Sequence, residues 1–205
     1  TRFKDAYGSQ QCNALRSTIQ QKNLNLLGEE AIIPNKKSKV LLQYKNVDKI
    51  YLKIAPYDYK KYNGNRYNYE KFVKELREIK GIYSKEIILN NPGDFQNHST
   101  ELLIPELLKG FYFVVIGTEP DFSDGKSAFA YMPLWVSNIT YQTRKAEDKQ
   151  QVLVSDRTTG AALVGAKATV TYEEYNYILR MYEHKSVGTF TVDEKGLFEF
   201  PVGTD

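Results

Sequence analysis

The sequence is poor in the residues that usually carry chemistry: among 205 positions there are one cysteine and two histidines. Cys12 alone permits neither an intrachain disulfide nor a thiolate metal cluster, because each needs a second sulfur. No apolar run reaches the eighteen residues of a membrane-crossing helix, so no transmembrane segment is expected in this stretch. Charge of one sign is lacking too. The 28 basic and 25 acidic residues are interspersed, and a net charge of +3 without a basic block announces no nucleic-acid partner. A glycine-rich phosphate loop, a His-Glu-x-x-His helix and a Gly-x-Ser-x-Gly elbow are all missing. An enzyme is therefore not expected, and neither is a cofactor or a metal. The chain starts at Thr1 and shows no signal peptide, so it reads as a processed or excised piece.

Aromatic residues, by contrast, are abundant: sixteen Tyr and ten Phe. Tyr and Phe favour strands, where a ring packs well on a half-buried pleated surface. Alternation of period two follows along the chain. Val40, Leu42 and Tyr44 alternate with Leu41, Gln43 and Lys45, and Asn46-Val-Asp48 reads as the turn of a hairpin whose second strand carries Ile50, Leu52 and Ile54. Phe111-Tyr-Phe-Val-Val-Ile116 is apolar on both faces and so reads as a central strand. One helix is predicted over 69–79, with Asn68 as its N-cap, Phe72, Val73, Leu76 and Ile79 on one face, and Gly81 beyond its end. About seven strands are expected between Ile32 and Met132, enough for one antiparallel sandwich.

After Pro133 the pattern renews itself. Trp135 to Tyr141 alternates, and Lys145 to Gln150 reads as a charged loop. Val152 to Gly160 and Leu163 to Val170 read as strand, turn and strand, then come strands at Tyr177–Tyr182 and Gly188–Val192. The Asp193-Glu-Lys-Gly196 loop closes a last hairpin with Phe198 and Phe200. The expected fold class is all-β: two tandem immunoglobulin- or fibronectin-like antiparallel sandwiches with one short inserted helix. Residues 1–28 form an N-terminal arm or short helix, 29–133 the first sandwich and 134–205 the second. Six strands over the last stretch make that second sandwich either minimal or cut short.

Candidate sites are few. His98 lies in Asp94-Phe-Gln-Asn-His-Ser-Thr100, where a base and a carboxylate stand close without a convincing nucleophile, and His184 reads as a surface residue. Asp121, Ser123 and Asp124 resemble half of a calcium loop whose terminal Glu is absent, so a turn is the expected role. Asn97-His-Ser99 and Asn138-Ile-Thr140 match the glycosylation acceptor pattern, which arises easily by chance in an Asn-rich chain. Tyr59, Tyr62 and Tyr67 are the candidate interaction surface. Their rings either line a carbohydrate or peptide groove, or pack the helix onto the sheet.

Three segments carry a resemblance to a known family. They are Val40-Leu-Leu-Gln-Tyr-Lys-Asn-Val-Asp-Lys-Ile-Tyr-Leu-Lys-Ile54, Ser99-Thr-Glu-Leu-Leu-Ile-Pro-Glu-Leu-Leu-Lys-Gly-Phe-Tyr-Phe-Val-Val115, and Val152 to Val170 together with Asp193 to Phe200. From about Glu30 onward the chain resembles the amino-terminal macroglobulin domains of bacterial alpha-2-macroglobulin-like proteins. The resemblance implies a non-catalytic scaffold and interaction module of a large cell-envelope or secreted protein, one whose full-length form inhibits endopeptidases by trapping them. Implied partners are other domains of the same chain, and proteases or another envelope protein. The family's thioester needs Cys-x-Glu-Gln, and Cys12 followed by Asn13-Ala14-Leu15 does not match it. The helix at 69–79 also departs from the plain sandwich. The alternative reading is a cell-surface adhesion or carbohydrate- and peptide-binding β-module.

Overall fold

Alternation along the chain becomes thirteen strands and three helices in the computed structural model, which describes residues 7–65, 68–123, 128–178 and 180–201. They fall into two units, Thr1–Val136 and Ser137–Asp205.

The first unit opens with α1 (Tyr7–Gln20) and continues through β1 (Asn23–Leu27), β2 (Ala31–Ile32), β3 (Ser38–Lys45) and β4 (Lys49–Pro56). Two helices follow, α2 (Tyr59–Asn65) and α3 (Tyr69–Glu78). Then come β5 (Tyr83–Ile88), β6 (His98–Ile104), β7 (Gly110–Gly117) and β8 (Phe129–Val136). One sheet has the order β1-β3-β6 and the other β2-β8-β7-β4-β5. Between them Leu42, Ile50, Leu52, Ile54, Leu102, Ile104, Ile116 and Leu134 lose nearly all contact with water. Each such side chain contributes roughly 1.5–3 kcal/mol relative to exposure.

The structure corrects two readings in this unit. Asn46-Val-Asp48 does not close a hairpin. β3 bonds to β1 and β6, whereas β4 bonds to β5 and β7, so the turn carries the chain from one sheet to the other. Val47, 1% exposed, fills the space at that corner, and Asn46 takes the left-handed conformation at φ 56°, which Asn visits more readily than most residues. The second correction concerns residues 23–27. They are part of the sandwich, not of an arm: β1 pairs with β3 from Asn23↔Lys45 to Leu27↔Leu41, and Leu24 and Leu26 join the core.

β7 explains why one strand is apolar on both faces. Tyr112, Val114 and Ile116 point into the sandwich, while Phe111, Phe113 and Val115 point into a second core on the sheet's outer side. Helix α3 covers that outer side through Phe72 and Leu76. Asn68 Oδ1 accepts a hydrogen bond from the Lys71 N–H at 3.2 Å, satisfying one of the donors a helix start leaves open. β8 runs unbroken through Pro133. Trp135 donates its N–H to the Glu30 carbonyl at 2.7 Å, and Pro133, two residues earlier, faces the same side where the two-residue β2 offers no partner to lose.

The second unit contains β9 (Ile139–Ala146), β10 (Lys149–Asp156), β11 (Lys167–Asn176), β12 (Met181–Thr191) and β13 (Leu197–Pro201). Its sheets are β13-β10-β9 and the hairpin β11-β12. Val152, Val154, Val192 and Phe198 form a small core, with Phe190 stacked 5.7 Å from Phe198. Here too the sequence reading needs correction. The stretch 145–150 is no loop: β9 and β10 pair from Ala146↔Lys149 to Ile139↔Asp156 across a tight turn at Glu147 (φ 55°). Tyr177, Ile178 and Arg180 lie in the turn of the long hairpin rather than in a strand, 179 is outside the described residues, and Gly188 sits within β12 opposite Val170. Asp193–Gly196 joins β12 to β13 in the other sheet, with Asp193 Oδ1 accepting from the Lys195 and Leu197 N–H groups at 2.9 and 2.8 Å. Gly196 is required there. Its φ is +82°, and a Cβ would meet Ala162 Cβ at 3.0 Å and the Val154 carbonyl oxygen at 3.2 Å.

Candidate functional site

The expected aromatic surface is divided by the structure. Tyr62, on α2, is half-buried and packs against Phe72, Phe111 and Phe113 at ring distances of 5.3, 5.5 and 5.3 Å. It belongs to the layer that fastens the helices to the sheet. Tyr59, at the start of α2, is 42% exposed and lies 4.8 Å from the Trp135 ring and 5.4 Å from Phe111. Tyr67 lies outside the described residues. Trp135, 38% exposed, is the ring that sequence reasoning missed. It sits 4.7 Å from Phe111, its register being Phe111↔Trp135 across β7 and β8. The period-two pattern of β8 assigns it to the outer face, but only the sheet register reveals that Tyr59 comes to meet it.

Underneath, Phe113 is fully buried and touches Tyr57, Tyr62, Phe72, Phe111 and Tyr131 edge-on or tilted. Edge-to-face packing of this kind uses the ring quadrupole and adds to simple burial. Burial also pushes the Tyr131 phenol up from its ordinary 10.0. The geometry provides a firm backing for the Tyr59–Trp135 pair, whose exposed faces offer stacking surface.

The remaining sequence candidates carry no assembled chemistry. His98 Nε2 is 2.9 Å from Asp94 Oδ1, and its ring lies 5.7 Å from that of Tyr44. Asp94 is held below its ordinary value first by the Gln96 N–H and then by His98. A polar cleft of about 430 Å³ lies alongside, lined by Asn23, Asn25, Gln43, Tyr44, Asn97 and His98. Asp121 Oδ1 accepts the Ser123 N–H at 3.0 Å, the geometry of a local turn, while Asp124 lies outside the described residues. His184 lies 3.6 Å from Glu173 across the β11–β12 hairpin. Cys12 is exposed on α1. Among the described residues no group of three or more His, Cys, Asp or Glu is placed to hold a metal, and no helix is long and apolar enough to cross a membrane.

These features define a tandem β-sandwich whose first member carries a helical cover. No protein-family model matches the chain, and no curated protein matches its sequence. Its fold is that of domains from an alpha-2-macroglobulin. A crystal structure of native alpha-2-macroglobulin from Escherichia coli spanning domains NIE-MG1 superposes with a TM-score of 0.57 at 14% identity, over 90% of this chain and 88% of that one. A structure of the same protein spanning MG0-NIE-MG1 gives a TM-score of 0.57 at 14% identity, over 87% of this chain and 57% of that one. At this identity the likeness is one of fold.

Proposed function

We propose that the chain is a scaffold and contact segment of a large alpha-2-macroglobulin-like protein, located in the cell envelope or outside the cell, that inhibits endopeptidases by trapping them. The observation that carries this reading is the coverage. Both sandwiches match the NIE-MG1 pair, over 90% of this chain and 88% of the other. Chance likeness to a single common sandwich would not extend across two unlike units in order. In this role the residues supply rigid surface, and the neighbouring domains of the parent chain are the first partners.

The test is to incubate the full-length parent with an endopeptidase and assay the mixture on a large protein substrate and on a short peptide. A trap blocks access of the large substrate while leaving peptide hydrolysis intact. Equal hydrolysis of both with and without the parent removes the trapping function. Equal loss of both points to an ordinary active-site inhibitor instead.

The exposed Tyr59–Trp135 pair favours a second reading, in which the module adheres to a carbohydrate or peptide through ring stacking. Titration of oligosaccharides and peptides against Trp135 fluorescence tests it. An unchanged spectrum at saturating ligand counts against it.

A further inference from the structure

One end of the β1-β3-β6 sheet carries a cleft that neither the sandwich core nor the aromatic layer uses. It holds about 430 Å³, within the ~300–1,000 Å³ of small-ligand sites. Leu24 and Tyr44, both buried, form its apolar part. Amides and a hydroxyl form the rest: Asn23 and Asn25 from β1, Gln43 from β3, and Asn97 and Ser99 around the start of β6. The register sets Asn25 opposite Gln43 and Gln43 opposite Ser99, so these three stand in one row across the sheet's exposed face. Among the described residues no Asp, Glu, Lys or Arg lines the cleft.

These polar groups are held in place and only partly spent. Asn25 Nδ2 donates to Gln43 Oε1 at 3.0 Å, which orients both amides and leaves Asn25 Oδ1 open to accept and Gln43 Nε2 open to donate. Among the described residues the side chains of Asn23, Asn97 and Ser99 have no hydrogen-bond partner. The wall at Asn97 is braced from below. Asp94 Oδ1 accepts the Gln96 N–H at 2.9 Å and stands 2.9 Å from His98 Nε2, while the Tyr44 hydroxyl donates to the Asn90 carbonyl at 2.8 Å. Asn91 Nδ2 donates to Asp48 Oδ1 at 2.9 Å. Phe95, inside this loop, is kept at φ 59°, which a bulky residue adopts only where its surroundings over-determine it.

We propose that this cleft binds a neutral oligosaccharide. A sugar hydroxyl donates and accepts at once, and the cleft offers both roles side by side through its amide oxygens and amide N–H groups. Leu24 and Tyr44 supply apolar surface for the C–H face of a ring. An ionised ligand meets no carboxylate, ammonium or guanidinium there, and a wholly apolar one leaves the amides without partners, which costs affinity. A second cleft of about 220 Å³ shares Asn23 and Asn97 with the first and continues to Thr18 and Gln21, with Lys45 beside them. The path is therefore longer than one sugar ring needs. It lies on the opposite sheet from Trp135, so it is a site apart from the Tyr59–Trp135 pair. It goes beyond the scaffold reading without depending on it.

The test is isothermal titration of the chain with chitohexaose, cellohexaose and maltohexaose, and with N-acetyltriglycine amide as a peptide control. It is run on the wild type, Gln43→Ala, Asn97→Ala and Trp135→Ala. The wild type is expected to bind at least one of the sugars. Gln43→Ala and Asn97→Ala should each weaken that binding about three- to tenfold, the usual worth of a lost hydrogen bond, while Trp135→Ala leaves it unchanged. Gln43 and Asn97 are both exposed, so thermal unfolding of their variants is expected to match the wild type, and it is measured alongside to exclude misfolding. No binding of any of the three sugars, or tighter binding of the peptide, overturns the proposal. So does sugar binding that survives both cleft variants or is lost only in Trp135→Ala.

Discussion

The ammonium of Lys53 stands 2.7 Å from the Arg77 carbonyl oxygen and 3.2 Å from that of Ile79, so a side chain of β4 closes the C-terminal end of α3. Lys53 is only 5% exposed, and the Phe122 ring lies 4.2 Å from its nitrogen. The positive charge meets the negative end of the helix dipole, and two carbonyls that a helix end leaves without partners are satisfied. Gly81 lets the chain leave closely. A Cβ there would lie 3.2 Å from both Lys53 Cβ and the Ile54 carbonyl oxygen.

Lys53→Met keeps the stem but removes the donors. The expected cost is about 1–3 kcal/mol, the usual penalty for leaving buried acceptors unmet. Hydrogen exchange is expected to accelerate first in α3. Burial lowers the Lys53 pKa from its ordinary 10.5. Between the folded value and 10.5 the unfolded chain holds a proton that the native one has lost, so this group adds stability as pH rises through that window. The deficit of Lys53→Met relative to the wild type should therefore widen toward pH 10.5 in urea unfolding. A constant gap would show that Lys53 does not titrate differently in the two states.

Phe113 and Trp135 separate the buried aromatic layer from its surface. Phe113→Ala removes a fully buried ring and should cost about 3–5 kcal/mol. Trp135→Ala loses two ring contacts at a partly exposed position and should cost only about 1–2 kcal/mol. Denaturant unfolding of both variants gives the comparison. Equal losses would make Trp135 a structural residue and weaken its use as a contact surface.

Asn46 ties α1 down: its Nδ2 donates to the Ile19 carbonyl at 2.7 Å and the Gln21 carbonyl at 3.0 Å. Asn46→Gly retains the backbone conformation and removes only the tie, so α1 amides should exchange faster while global stability holds. Asn46→Ala adds strain at φ 56° and should cost about 1–2 kcal/mol more. If α1 exchange is unchanged in both, the helix is held by something other than this side chain.

Asp94 gives an acid-side prediction. Its pKa is held below 3.8 by the Gln96 N–H and by His98. A depressed carboxylate contributes its stabilisation above the unfolded value and loses it as pH falls through the folded one. Wild type and Asp94→Asn should thus differ above pH 3.8 and converge below the folded value. Thermal unfolding across that range tests this, and a difference that persists in strong acid would assign the effect to something other than ionisation.

Much of the fold could be read in the residues. The all-β class, the apolar strand at 111–116 and the Asn68-capped helix all follow from periodicity and local chemistry, because each depends on neighbours in sequence. The site was less legible. Tyr59 and Tyr62 are equivalent by composition and spacing, yet one reaches the surface beside Trp135 and the other is packed against Phe72 and Phe113. That difference depends on β7, β8 and α3 meeting, which involves residues up to 76 positions apart in the Tyr59–Trp135 contact.

By itself, the sequence determined that the chain is mostly strand and which faces of β3 and β4 turn inward, since a period of two follows from the pleat of a single strand. It also determined that no disulfide closes within the chain. Tertiary structure decided which strands are partners. The same alternating pattern suits a hairpin and a crossing between sheets equally well, and only packing of the two buried faces sent β3 and β4 apart. It likewise decided that the β11–β12 hairpin runs on past its core and ends in exposed rings, because exposure depends on what the rest of the chain leaves uncovered.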